Sequence, residues 1–324
     1  MSAVSRHLAY VLSVAGAAWL AAAAQAAYPE RPIRIVVPLP AGTSPDLFAR
    51  HLGQKLSTRL KQPVIIENRP GANSVIGTRT VAKASADGYT LLSASVQHVM
   101  LTPLLGKLDF DPDADFVPVT TISATEMILV VPAGARFQSA GELMAAAKLR
   151  PGELNFSSPG IGSPAHLAGQ AFLSATATAA RHIPMKGSTE SVTAVAGNQV
   201  DYTITAITNA LPLITAGKLR ALAVTGPGRH ELLPAVPTMR EAVPPGFVYE
   251  TWQTLFAPAA TPRTVVDLLN REMVRLLNEA DTREFLVKNG SNPRPRTTAE
   301  SAEFVRQEAR KAVELVKAIG ATAQ

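Results

Sequence analysis

The chain reads as an α/β protein of two units, each a mostly parallel sheet flanked by helices. Two observations carry this. Short β-branched runs alternate with helical spacings from Arg34 to Ser95, and the alternation restarts near Met127 after the stretch "LDFDPDADFVPV". Length agrees, because about 298 residues follow the first two dozen, enough for two cores.

Residues 1–26 stand apart from that pattern. Arg6 and His7 precede an apolar run from Leu8 to Leu20, and Ala24-Gln25-Ala26 has the small-x-small form that signal peptidase cleaves. A signal peptide is therefore expected over 1–26, since the apolar run is short for a membrane span of ~20 residues. No later segment is apolar enough to cross a bilayer, so the mature chain is not expected to span the membrane. Cysteine is absent, which excludes a disulfide framework and any thiolate metal or redox site. Export without disulfides suits the bacterial periplasm. Removing Arg6 lowers the net charge from +6 to +5, and the remaining Lys and Arg residues are scattered with few aromatics between them. That pattern argues against nucleic acid as a partner.

The elements follow in order. "RIVV" (Arg34 to Val37) is a buried strand, and Leu47, Phe48, Leu52, Leu56 and Leu60 recur at helical spacing after it. Ser44 is placed to cap that helix, with Pro45 in its first turn. "VIIE" is the next strand, a helix runs near Ser74 to Ala84, and "YTLLSAS" completes a βαβαβ unit. "LDFDPDADFVPV" then reads as a linker, and "MILVV" (Met127 to Val131) opens the second unit. Ser139 and Glu142 have capping-box spacing before the helix "GELMAAAKL". The strand "LNFSS", the helix "PAHLAGQAFLSA", the strand "VDYTITA", the helix "NALPLITAGK" and the strand "LRALAVT" continue the alternation. After a Pro-rich stretch comes the strand "YETWQTLFAPA", then helices from Pro262 to about Glu279 and from about Thr298 to Ile319.

Two loops share one design. Thr43-Ser44-Pro45 and Gly162-Ser163-Pro164 each follow a strand and open a helix. Such loops present backbone N–H groups, a hydroxyl and the positive end of a helix dipole, a combination that binds anions. Both must lie beyond the carboxyl ends of their strands, where α/β sheets bind ligands. The glycine loop lacks the third glycine of a dinucleotide fingerprint and any Gly-Lys-Ser/Thr sequence. No G-x-S-x-G elbow and no H-E-x-x-H occurs, and His51, His98, His166, His182 and His230 show no metal-ligand spacing. Asp109, Asp111, Asp113 and Asp115 alternate like a calcium loop but lack its glycine and its closing glutamate. No cofactor and no metal are expected. His166 falls in the first turn of its helix, where the dipole favours its neutral form.

Several motifs together resemble one family. "YPERPIRIVVPLPAG", "VIIENRPGA", "ADGYTLL", "NFSSPGIGSPAHLAG", "GKLRALAVTG" and "LPAVPTMREA" occur in order from about Tyr28 onward. In these the chain resembles the tripartite tricarboxylate transporter receptors, the Bug-type periplasmic solute-binding proteins. The resemblance implies a type II periplasmic binding protein fold with a hinge of crossing strands. Residues 27–128 and 252–324 would form domain 1, and 129–251 domain 2. It implies a monomer that closes around a small carboxylate and delivers it to a permease of one large and one small membrane subunit. The ligand contacts carried over are Ala41, Gly42, Thr43, Ser44 and Asp46, then Ser157, Ser158, Gly160, Gly162, Ser163 and His166. Lys186 is added as a cation for a second carboxylate. Many relatives carry Asp or Asn at the strand end where this chain has Thr205 and Ala206, which argues against an amino-acid ligand. The alternatives are a secreted enzyme on the same fold and a receptor that feeds a sensor protein.

Overall fold

The computed structural model describes residues 28–72, 74–95, 99 and 108–318. The expected signal peptide, with its Trp19, lies outside these residues, as does His98. Strands β1 (Ile33–Val37), β2 (Val64–Asn68) and β3 (Thr90–Ser95) are parallel, with α1 (Ser44–Leu60) and α2 (Val75–Ala82) as crossovers. Their runs are apolar on both faces because both faces are covered. Ile35 and Leu91 enter one core with Phe48 and Leu52, while Val36 and Leu92 enter another with Phe256 and Val305.

Strand β4 (Phe116–Pro132) is the spine. The expected linker is in part this strand, since only the residues up to Asp115 form a turn and Phe116 to Val119 already pair. Threonines and a proline hid its first half, although Thr120, Thr121 and Ser123 are fully buried. Helix α3 (Ala140–Leu149), strand β5 (Asn155–Ser158), helix α4 (Pro164–Thr176), strand β6 (Arg181–Pro184), helix α5 (Ser188–Ala196) and strand β7 (Tyr202–Ala206) follow. The capping box at α3 is displaced: Ser139 accepts from the Glu142 amide, but Glu142 accepts from Gln138, one residue ahead of the cap. Strands β5, β6 and β7 form a second parallel set.

The chain continues through α6 (Ile207–Thr215), β8 (Leu219–Val224) and the short α7 (Met239–Ala242) to β9 (Glu250–Pro258). Helices α8 (Arg263–Leu277) and α9 (Ala280–Lys288), the two-residue β10 (Asn292–Pro293) and α10 (Thr298–Ala318) complete it. The path of the sheet is β2-β1-β3-β9-β4-β7-β5-β6, with β8 and β10 also paired to β4.

Register shows how the two halves meet. From Phe116 to Glu126, β4 pairs antiparallel with β9; from Met127 onward it pairs with β7, and from Ile128 with β8. Because β3 is also antiparallel to β9, strands β1 to β3 run in the same direction as β4. Strands β5 to β7 run against it. The carboxyl ends of both parallel sets therefore face each other across the point where β4 changes sheets. Core packing alternates on each side of that point: Leu129 and Val131 pack with Phe156 and Phe172, while Ile128 and Val130 pack with Val192 and Ile207. Each such side chain contributes about 1.5–3 kcal/mol on burial.

Candidate functional site

The loop from β1 to α1 is shaped by its own side chains. Gly42 has φ +83°, a region that L residues avoid, and its amide donates to Oδ2 of Asp46 at 2.9 Å. Asn68, at the end of β2, donates to the other Asp46 oxygen at 2.9 Å and to the Leu39 carbonyl at 3.1 Å. Arg50 bonds the carboxylate from one turn along α1. Burial pushes the Asp46 carboxyl up, but Arg50, the Gly42 amide and Asn68 outweigh it and hold the group below its ordinary value. Asp46 is thus a fully committed anchor beneath the loop, and its side chain is turned inward.

Ser44 does not cap the helix. Thr43 occupies the cap position without a capping bond, and its hydroxyl donates back to the Pro40 carbonyl at 2.9 Å. Ala41 and Gly42 are exposed at the tip, and the first-turn amides of α1 have no intrahelical acceptor.

The loop from β5 to α4 repeats the device with a different acceptor. Gly162 has φ +77°, and its amide donates to Nδ1 of His166 at 3.2 Å. Ser163 does cap its helix, accepting from the His166 amide at 3.2 Å, and its hydroxyl donates to the Gly160 carbonyl at 2.7 Å. Ser158 accepts from the Gly160 amide at 3.2 Å and sits 2.7 Å from Nε2 of His182. The His166 and His182 rings lie 4.3 Å apart beside Phe156. Burial, with His182 second, lowers the His166 pKa to about 4, and burial lowers that of His182. His166 is therefore neutral, as expected, but through burial more than the dipole. Accepting at Nδ1 leaves its proton on Nε2, which faces the Gln170 side-chain amide at 3.4 Å.

The remaining candidates divide. Ser157 is fully buried, donates to the Ser191 carbonyl at 3.0 Å and accepts from the Ser191 hydroxyl at 2.8 Å, so it fastens β5 to α5. Neighbouring strand residues point to opposite faces, and only Ser158 points toward the loop. Thr205 ends β7 opposite Ile128 and accepts from Asn209 at 3.2 Å. Lys186 is exposed after β6, while the first turn of α5 is already served by Glu190, which accepts from the Lys186 amide at 2.8 Å.

The sequence reading missed Asn68, Arg50 and His182. Their partners are 18 to 29 residues away, beyond any local pattern. The alternating aspartates form no ion site among the described residues. Asp109 pairs with Arg79 at 2.7 Å and with Lys83, and Asp111 and Asp115 accept backbone amides.

Comparison with known proteins agrees with this geometry. A family model described as "Tripartite tricarboxylate transporter family receptor" matches residues 48–321. "Protein BugT" of Bordetella pertussis is 36% identical over 296 residues, covering 91% of each chain. The solved structure "R. palustris Rpa4515 with adipate" has 30% identity and a TM-score of 0.81, covering 92% of this chain and all of that one (100%). "MatC (Rpa3494) from Rhodopseudomonas palustris with bound malate" has 30% identity and a TM-score of 0.76, covering 89% and 100%.

Proposed function

Because this chain belongs to the tripartite tricarboxylate transporter receptor family, a family of solute-binding proteins, we propose that it captures a small mono- or dicarboxylate in the periplasm. It then delivers that acid to the large and small membrane subunits of a tripartite permease. The domains are 27–128 with 252–324 and 129–251, and they close on the ligand as a monomer.

The observation that carries this reading is the pair of anchored loops. Each has a glycine amide tied to a side chain four residues on, which fixes the loop and points a helix N-terminus across the gap between the parallel sets. Helix N-termini and loop hydroxyls favour an anion. The neighbours solved with adipate and malate support a carboxylate as the anion. Within the loops, Ala41, Thr43, Ser44, Gly160 and Ser163 are the proposed contacts. Asp46, Gly42, Ser158, Gly162 and His166 hold the loops in shape. Thr205 and Lys186 face the distal end of the ligand.

An enzymatic reading has one observation behind it, the 2.7 Å approach of Ser158 to His182. Ser158 is fully buried and already bonded to the Gly160 peptide, and among the described residues no third group orients His182. A positioned nucleophile needs both access and an oriented base. Binding is the better account.

Thermal denaturation with a panel of organic acids tests the proposal. At ~100 times the dissociation constant a ligand stabilises the fold by about 2.7 kcal/mol. Stabilisation by sugars or amines, with none by carboxylates, contradicts it. Co-purification with permease subunits separates transport from sensing.

A further inference from the structure

The crossing between sheets holds a feature that ligand capture does not use. Glu126 and Glu250 are direct partners in the β4–β9 ladder, the last pair before β4 changes sheets. Opposite residues in an antiparallel pair project to the same side, and like charges there repel. Both glutamates are nonetheless buried, at 5% and 9% exposure.

The surroundings do not neutralise two negative charges at close range. Asn292, on β10, donates to Oε1 of Glu126 at 3.0 Å, and Oε2 of Glu126 is buried with no partner among the described residues. Arg294 is 3.9 Å from Glu250, too far for a close ion pair. Arg296 acts on Glu250 from the same segment, and Glu308 on α10 adds a further negative charge. From the other half, Gly226 brings bare backbone against the pair: a Cβ there would lie 2.3 Å from Cδ of Glu126. The space around the Glu126 carboxyl is therefore closed to a hydrating shell.

We propose that Glu126 and Glu250 form a proton-binding pair at the crossing strands, taking up one proton and thereby linking closure on the ligand to pH. The shared proton turns a repelling pair into a hydrogen-bonded one and holds the end of the β4–β9 ladder together. Its loss loosens the point about which the two halves move. Burial first, then Glu250, pushes the Glu126 carboxyl up to about 7, and Glu250 is also raised by burial. A ligand that closes the protein changes the environment of the pair, so ligand and proton affinities are coupled. Only this ligand half of the inference rests on the receptor reading.

Trp252 supplies a probe that needs no ligand. It sits two residues after Glu250, and the Arg296 guanidinium lies 4.8 Å from its ring centre. In the chain from Ala27 onward, emission should change with pH as a single step with a midpoint near 7 and should be absent from Trp252→Phe. Glu126→Gln mimics the protonated pair and should remove the step. Glu250→Gln removes the like charge and should move it toward the ordinary carboxyl range. A flat wild-type titration, or an unchanged midpoint in both variants, overturns the proton pair. Calorimetry with malate and with adipate at pH 6 and pH 8 tests the coupling: a several-fold difference in affinity should disappear in Glu126→Gln. An equal ratio in wild type and variant overturns the coupling. If neither acid binds, the choice of acids in the receptor reading fails, and the Trp252 titration still decides the proton pair.

Discussion

Gly162 donates its amide to Nδ1 of His166 at 3.2 Å, over the same four-residue reach by which Gly42 donates to Asp46 at 2.9 Å. Both glycines have positive φ, and both acceptors stand in the first helical turn. One acceptor is a carboxylate and the other a neutral imidazole. Each bond removes an amide from the set that a ligand can reach and uses it to fix the loop. The ligand-facing donors are then the hydroxyls and the remaining first-turn amides.

Replacing His166 by Ala should weaken binding of a carboxylate by about tenfold, since loss of one such hydrogen bond is worth roughly 1–1.5 kcal/mol. His166→Asn, which keeps an acceptor near Nδ1, should restore part of it. Calorimetry on the two variants provides the check. The pH dependence has a definite sign. The folded pKa is depressed to about 4 from the ordinary 6.5, so the folded state binds fewer protons than the unfolded one between these values. Its contribution is complete above pH 6.5 and is lost as pH falls toward 4. Denaturant titrations from pH 7 to 4 should therefore show a shallower loss in His166→Asn.

Glu126 acts with the opposite sign. Its folded pKa is raised from 4.5 to about 7, so the folded state holds the extra proton and stability falls as pH rises through that window. At pH 8 Glu126→Gln should be more stable than wild type by up to about 3 kcal/mol, and at pH 4 nearly equal. Urea midpoints at the two pH values measure this. An equal difference at both would assign the effect to packing and not to charge.

Much of the fold was legible because strands buried on both faces leave continuous apolar runs. "RIVV" and "MILVV" are read this way, and alternate residues of each enter separate cores. Strand β6, "RHIP", carries no such run, and α5, "STESVTAVA", begins with polar residues, so neither was recognised. The site was legible as two glycine–hydroxyl loops opening helices. What those loops do internally was not. The Asn68 bridge to Leu39 and Asp46 and the His182 approach to Ser158 are tertiary contacts, and the inward turn of Ser157 depends on which face of β5 meets α5.

Asp46 tests the difference between an anchor and a contact. Asp46→Ala leaves the Gly42 amide and the Asn68 side chain without their acceptor, and should destabilise the fold by roughly 1–3 kcal/mol while weakening ligand binding. Asp46→Asn keeps the shape but loses the charge that Arg50 meets, and should lie between. Because the folded pKa is depressed, the anchor's stabilisation is present above the ordinary carboxylate value and is lost as pH falls through the folded one. Chemical denaturation of both variants at pH 7 and pH 3 gives the ordering.

Gly160 and Gly162 should respond differently to substitution. At Gly160, with φ +134°, a Cβ meets nothing within 4 Å, so Gly160→Ala is opposed by backbone strain alone. At Gly162, with φ +77°, Gly162→Val forces a β-branched residue into the left-handed region, at a cost of at least ~1–2 kcal/mol, and pulls the amide off His166. Loss of malate and adipate binding is expected in folded Gly162→Val, with a milder loss in Gly160→Ala. Unchanged affinity in a folded Gly162→Val protein would remove this loop from the site.

Trp252 lies in β9 opposite Ala124, two residues beyond the pair at which β4 changes sheets. It is 8% exposed, with the Phe304 ring 4.2 Å away on α10 and Arg296 over its face. Its indole therefore senses α10 directly, and α10 packs against α4, the helix that carries Ser163 and His166. Closure on a ligand that bridges the two loops must shift α4 relative to β9, because the loops belong to opposite parallel sets. That shift reaches Trp252 through Phe304. Saturable change in Trp252 emission on adding a bound carboxylate is expected, with the same midpoint as the heat of binding. Phe304→Leu should leave the heat in place and flatten the optical signal. Heat without any optical change in the wild type would mean that α10 moves with α4, and would place the hinge on the far side of β9.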